Sequence, residues 1–262
     1  MSVVMERHGR VALIEMQSPP HNYLSPALVN GVASALEEAA GDVAISVAVV
    51  AAQGRSFCAG ANFGGSGEAD GEENILQGQG GRSLTDQLYE GAARLCSVDL
   101  PWIAAVQGPA IGGGLGLAMT ANIRVTCPEA RFSANFAKLG IHQGFGLSVT
   151  LPEQLGPSKA AMVLFTGRRF RGEEAVEMGM ADLCVPADQL RETTMALAAE
   201  IAEGAPLALR AMNRTLRTGL ADRLRQVTRL EAAEQMRLGA TKDAGEGIMS
   251  VLERRPGQFQ GC

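Results

Sequence analysis

The sequence predicts an α/β fold with a helical C-terminal region. Three observations point there. Apolar strand-like runs alternate with helix-period segments through about the first 185 residues. A strand, Trp102 to Val106, runs into a glycine-rich turn and then a helix-like run, Leu115 to Ala121. From Asp188 onward the apolar positions recur at helical spacing alone.

Composition narrows the class. With 46% apolar and 19% charged residues, 262 residues suit one compact domain or one domain with a helical appendage. The net charge of −5, without a basic run, argues against a nucleic-acid surface. No apolar stretch approaches ~18 residues without interruption, so no membrane span is expected. The first residues lack the layout of a signal peptide. Five scattered cysteines form no Cys-x-x-Cys pair and read as reduced thiols, so neither a disulfide frame nor a metal site is expected and the localisation read is cytoplasmic.

Taken in order, Val3 to Met5 and Val11 to Met16 read as strands turning at Gly9. Ser25-Pro26 opens a helix, serine at the cap and proline in the first turn, which ends near Gly41. Ser46 to Ala52 reads as a buried strand. Gly64 to Gly81, rich in glycine and acids, reads as a mobile loop, either a lid or a solvated insertion. Leu84, Leu88, Ala92 and Leu95 share a helical face. Ile123 to Cys127 and Arg131 to Ala134 read as strands, and Gly140 to Gly146 as a second glycine-rich turn. Helices are expected over Leu147 to Leu155, Ser158 to Thr166 and Glu173 to Met178, followed by a strand, Ala181 to Val185. Four more helices follow: Gln189 to Glu203, Leu207 to Thr218, Ala221 to Leu238 and Asp243 to Glu253.

The turn at Gly112, Gly113 and Gly114 is the chemically informative one. A strand that feeds glycines and then a helix leaves unbonded N–H groups at the helix start, where the dipole favours negative charge. Without Cβ atoms, a ligand can approach the backbone closely. A plain tight turn that packs a helix on a strand has the same signature.

A second stretch, Phe57-Cys58-Ala59-Gly60-Ala61-Asn62, follows the strand Ser46 to Ala52. Together with Val106 to Gly114 it resembles the crotonase superfamily, the enoyl-CoA hydratase/isomerase family. Leu164 to Gly167, Ala175 to Gly179 and Ala244 to Arg255 extend the resemblance over nearly the whole chain. It implies a crotonase-like spiral of strand-strand-helix repeats over 1–187 and a helical trimerisation region over 188–262, giving a homotrimer or homohexamer. It implies an acyl-CoA thioester as the ligand, coenzyme A being part of the substrate and not a separate cofactor. The N–H groups of Ala61 and Gly113 would form an oxyanion hole, with Cys58, Ala59, Gly60, Gly112 and Phe136 around the substrate. Arg254, Arg255 and Phe259 would lie near the nucleotide end.

The chain departs from the family where protons move. Hydratases carry one glutamate two residues after the third glycine, and here that position is Gly116. The second falls on Phe136. Neither side chain transfers a proton, so ordinary hydration is not expected, while thioester binding is. Substitute groups are His142, whose ordinary pKa lies near neutrality, Tyr89 on a helix that lines the acyl pocket in relatives, and the loop acids Asp70, Glu72 and Glu73. Each also reads as something plainer: a packed turn histidine, a pocket wall, solvated acids. Asn62 reads as a turn brace, Cys58 as a small buried side chain, and Asn135 as a residue able to hold a water.

Gly112, Gly114 and Gly116 have the wrong spacing for a dinucleotide fingerprint, and Phe136 stands where an acidic ribose partner is sought. No phosphate-binding loop motif is present. Two readings remain: a crotonase-type lyase or isomerase of an unusual branch, and a catalytically silent protein that binds CoA esters.

Overall fold

The structure, a computed structural model, describes residues 2–62 and 84–262. The loop expected over 64–81, with Asp70, Glu72 and Glu73, lies outside the described residues.

A hairpin opens the chain. Strands β1 (Ser2–His8) and β2 (Val11–Gln17) pair antiparallel from Ser2↔Gln17 to His8↔Val11, with Gly9 at φ 62° in the turn. Helix α1 (Pro26–Gly41) starts as its sequence dictates: the Ser25 hydroxyl accepts the Leu28 N–H at 3.2 Å and proline occupies the first turn. Strand β3 (Val47–Ala52) then lies parallel to β2, and every residue of it is buried. That is the pattern of a parallel strand covered on both faces.

Helix α2 (Leu84–Ser97) leads to β4 (Trp102–Val106), parallel to β3. Here the repeat becomes visible. Strand β4, the short strand β5 (Pro109–Ile111) and helix α3 (Gly113–Met119) are followed by β6 (Ile123–Thr126), β7 (Arg131–Ser133), a 3-10 helix (Asn135–Leu139) and α4 (Leu147–Leu155). β4 pairs with β6 and β5 with β7, both parallel, so consecutive strand-strand-helix units stack, one strand in each of two sheets. Helix α5 (Pro157–Thr166), β8 (Phe170–Arg171), α6 (Gly172–Met178) and β9 (Leu183–Cys184) complete this part. The larger sheet has the order β1-β2-β3-β4-β6-β9 and the smaller β5-β7-β8. β5, β8 and the 3-10 helix have no counterpart among the elements expected from sequence, because two to five residues carry no measurable period.

Four helices follow: α7 (Leu190–Ala202), α8 (Pro206–Leu216), α9 (Leu220–Gly239) and α10 (Lys242–Leu252). α7 packs across β2, β3, β4 and β6, and α9 runs along α2. α8 is fastened by polar side chains. Arg210 donates to the carbonyls of Ala40, Asp42 (2.9 Å) and Ile45 (3.2 Å) at the end of α1, and the Asn213 amide to those of Val98 and Asp99 at 3.1 and 2.8 Å. A cation on the open carbonyls of a helix C-terminus is favourable. Among the described residues no helix is long and apolar enough to cross a membrane.

Candidate active site

The two glycine turns are fastened to each other. The Cys58 N–H donates to Pro109 O at 3.1 Å, and the Ile111 N–H to Cys58 O at 3.0 Å, forming an isolated parallel bridge of Cys58 with Ala110. The glycines make this approach possible. A Cβ on Gly114 would lie 2.1 Å from Cys58 O, and one on Gly60 (φ 78°) 2.6 Å from Ile111 O. Gly112, at φ 55° and ψ −119°, holds a backbone conformation that side chains penalise and donates its N–H to Ser133 O at 2.8 Å. It delivers the chain into α3, whose first residue is Gly113.

Ala61 and Gly113 both line one cavity of about 650 Å³. Neither N–H has an acceptor among the described residues. For Gly113 that follows from its place in the first turn of α3, where N–H groups have no intrahelical partner. Ala59, Gly60, Gly112, Phe136 and Tyr89 line the same cavity.

Two expected site residues do not face it. Cys58 is fully buried behind the turn, its Cβ directly under Gly114, and burial pushes its thiol up to about 12. His142 is also outside the lining: its Nδ1 sits 2.8 Å from Gln143 O, and its own carbonyl accepts the Gln235 amide at 2.9 Å. At the C-terminus, Val251 and Leu252 reach the cavity, whereas Arg254, Arg255 and Phe259 do not line it. Arg255 is paired with Glu246 and Glu253.

The space beside α3 is aromatic. A Cβ on Gly116 would meet Phe145 Cβ at 2.7 Å and Cδ1 at 2.8 Å. The Phe145 ring therefore stands where a side chain from position 116 would grow. Phe145 and Phe136 are both buried and both line the cavity, with Leu24, Leu88 and Ile141. Among the described lining residues there is no carboxylate. Sequence reading passed over Phe145, because its position near Gly116 depends on how the 140–146 turn folds back over α3.

Two more residues escaped it. Gln235, from α9, lines the cavity and accepts the Tyr89 O–H at 2.6 Å. Glu231, one turn earlier on α9, is fully buried and accepts the N–H groups of Gly146 (2.8 Å) and Ser148 (3.0 Å) at the start of α4. Burial raises the Glu231 carboxyl above the usual carboxylate range, against the lowering effect of these donors. Tyr89 is held far above the usual phenol range, first by burial and then by the nearby Glu231 charge. A periodic helix offers no signal that marks one glutamine or glutamate among its polar positions as inward-facing. His21 also lines the cavity, with its Nδ1 3.0 Å from Ser56 Oγ.

Stacked strand-strand-helix units with two fastened glycine turns around an apolar cavity define a crotonase-type fold. The family model described as Enoyl-CoA hydratase/isomerase matches residues 6–262, and this chain belongs to that family. It is 31% identical to a probable enoyl-CoA hydratase of Bacillus subtilis over 253 residues, covering 96% of this chain and 95% of that protein. It is 32% identical to the 2,3-dehydroadipyl-CoA hydratase of Escherichia coli over 260 residues, 99% of this chain and 98% of that one. The fold matches the crystal structure of an enoyl-CoA hydratase/isomerase from Pseudoalteromonas atlantica with a TM-score of 0.84 at 23% identity, over 99% of this chain and 100% of that one.

Proposed function

We propose that this protein binds acyl-CoA thioesters and stabilises the thioester enolate through the N–H groups of Ala61 and Gly113. The observation that carries the reading is the pair of N–H donors, without acceptors among the described residues, on two turns that are fastened together and line one cavity. Two preorganised donors aimed at a developing oxyanion act only where charge appears, and losing one typically costs ~3 kcal/mol in the transition state. Coenzyme A enters as part of the substrate, without a separate cofactor. We place the protein in the cytoplasm.

Hydration of a simple enoyl-CoA is slow or absent in this reading. It needs a base for water and an acid for the α carbon, each worth ~100- to 10,000-fold. The lining described above supplies aromatic rings at the two positions concerned. The test is a crotonyl-CoA hydration assay run beside a binding titration of the same ester. The expected result is binding with turnover far below ~10 s−1, an ordinary enzyme value. Turnover at or above that value overturns the claim about hydration, and absence of binding overturns the thioester reading. A conjugated enoyl thioester reports the donors directly, because carbonyl polarisation shifts its absorption. Gly113→Pro removes one donor at a helix position that accepts proline, and the one close contact of a Cβ there is the flexible end of Leu24 at 2.4 Å. A full shift in folded Gly113→Pro protein removes Gly113 from the assignment. Screening enoyl, 3-hydroxyacyl and 3-oxoacyl esters for conversion separates a lyase or isomerase from a silent CoA-ester binder.

A further inference from the structure

Helix α9 turns one buried face to the segment that carries Phe145. Leu224, Thr228, Glu231 and Gln235 are buried on it, spaced four, three and four residues apart and so on one side of the helix. Three of them touch the chain between 142 and 148. The Gln235 amide donates to the His142 carbonyl at 2.9 Å. Glu231 accepts the Gly146 N–H on Oε2 at 2.8 Å and the Ser148 N–H on Oε1 at 3.0 Å. Leu224 packs against Gly146, where a Cβ would meet its Cγ at 2.8 Å. From α2, the Tyr89 oxygen accepts the Phe145 N–H.

These contacts meet a local need. Phe145 and Gly146 take φ of 60° and 75°, two left-handed residues in succession. Gly146 does so freely, whereas Phe145 holds that conformation only where its surroundings sustain it. Glu231 suits the task because both carboxylate oxygens accept. A glutamine there offers one acceptor and sets its NH2 group against the other N–H. The ring held in this way is 1% exposed and lines the cavity. Its Cδ2 lies 3.9 Å from where a Cβ on Gly113 would stand, and Phe136 Cζ lies 3.7 Å from the corresponding point on Gly112. The two rings thus flank the turn that supplies the Gly113 N–H. A thioester carbonyl held on that N–H brings its α carbon, one bond from the carbonyl carbon, beside them. A methylene presents only hydrogens to the rings. A branch adds a carbon to a close-packed wall, which must then shift.

The structure assigns selection at the α carbon to Phe145 and the placement of Phe145 to Glu231, so that straight-chain acyl thioesters are preferred over α-branched ones. This rests on the thioester reading above. Glu231 does not line the cavity and acts as a positioning residue, through the backbone of the turn.

The experiment is calorimetric titration with butyryl-CoA and 2,2-dimethylpropanoyl-CoA. The wild-type protein is expected to bind the straight ester about tenfold or more tighter, the scale of discrimination that a hydrocarbon group gives in an apolar pocket. In Phe145→Ala the ratio is expected to fall toward one, and in Glu231→Gln to fall part of the way. In the double variant Glu231→Gln should add nothing to Phe145→Ala, because its effect runs through that ring. A purely structural role would weaken both esters together and leave the ratio intact. Equal binding of the two esters by wild type overturns the proposal, as does a ratio retained in folded Phe145→Ala or Glu231→Gln protein. A further fall in the double variant overturns the positioning role. Phe145→Leu replaces Phe145→Ala should the latter not fold. If Glu231→Gln does not fold, hydrogen exchange of wild type decides its part: the Gly146 and Ser148 N–H groups are expected to be as protected as those of α9, and exchange at the rate of exposed turns overturns it. Binding of neither ester instead defeats the thioester reading.

Discussion

Phe145 and Gly116 divide one volume between them. Phe145 takes φ 60°, a conformation that costs a non-glycine residue ~1–3 kcal/mol and that the surrounding contacts must sustain. Its ring then lies over α3 where a side chain at position 116 would grow. Gly116→Glu alone therefore overpacks a filled site. Urea unfolding is expected to show a loss of ~1–3 kcal/mol, partly recovered by adding Phe145→Ala. A Gly116→Glu protein as stable as wild type would show that the 140–146 turn yields without cost. It follows that installing hydratase chemistry takes three substitutions, Gly116→Glu, Phe136→Glu and Phe145→Ala, since a carboxylate at 116 has no room beside the Phe145 ring.

At the scale of elements, the site depends on joints between segments. The joint between the two turns allows no side chain at position 114, where the obstacle is the Cys58 carbonyl and not a flexible tip. Gly114→Ala should cost more than ~2 kcal/mol and, in whatever fraction folds, abolish the absorption shift of a conjugated thioester. An undiminished shift would mean that the turns act independently. A second joint is Glu231, which caps α4 from α9. Its carboxyl is raised in the folded protein above the 4.5 of an unperturbed one, so between these values the folded state holds more protons than the unfolded. Its contribution to stability is fully present below about 4.5 and is lost as pH rises through the raised folded value. Relative to Glu231→Gln, the wild-type protein should thus lose stability with rising pH across that window. A difference that is flat, or that grows with pH, would contradict the assigned direction.

At the scale of the molecule, the C-terminal helices are amphipathic on more sides than one chain covers. Arg210 and Asn213 bind α8 to the core, yet Leu207, Met212 and Leu216 on the same helix are 70%, 61% and 82% exposed. On α9, Leu230 and Met236 are also exposed, as is Phe165 at the end of α5. Isolated exposed apolar residues are ordinary; a set of this size is the kind of surface that association removes from water. The expected state is a trimer or hexamer of the 27.4 kDa chain, measured by light scattering. A monomer at micromolar concentration would refute it, and Leu216→Arg is expected to shift mass toward monomer if α8 lies in the interface.

Much of this was legible along the chain because it is local. A glycine at a positive φ, serine and proline at a helix start, and the spacing of apolar residues are decided within a few neighbours. Ser25, Gly60, Gly112 and the long helices could therefore be read directly, as could the absence of glutamate at 116 and 136. The chemistry offered by Ala61 and Gly113 is a property of backbone, so it too is written in the turns. Only the tertiary structure decided what fills the space around them. Tyr89 and Gln235 are 146 residues apart and meet because α9 runs along α2. Cys58 packs inward beneath Gly114, which comes from a segment more than fifty residues on, and His142 lends its carbonyl to Gln235 in place of its ring to the cavity. Helical period tells that a face is buried, but the neighbour it meets is set by packing between elements far apart in sequence, and the identity of this site's walls resides there.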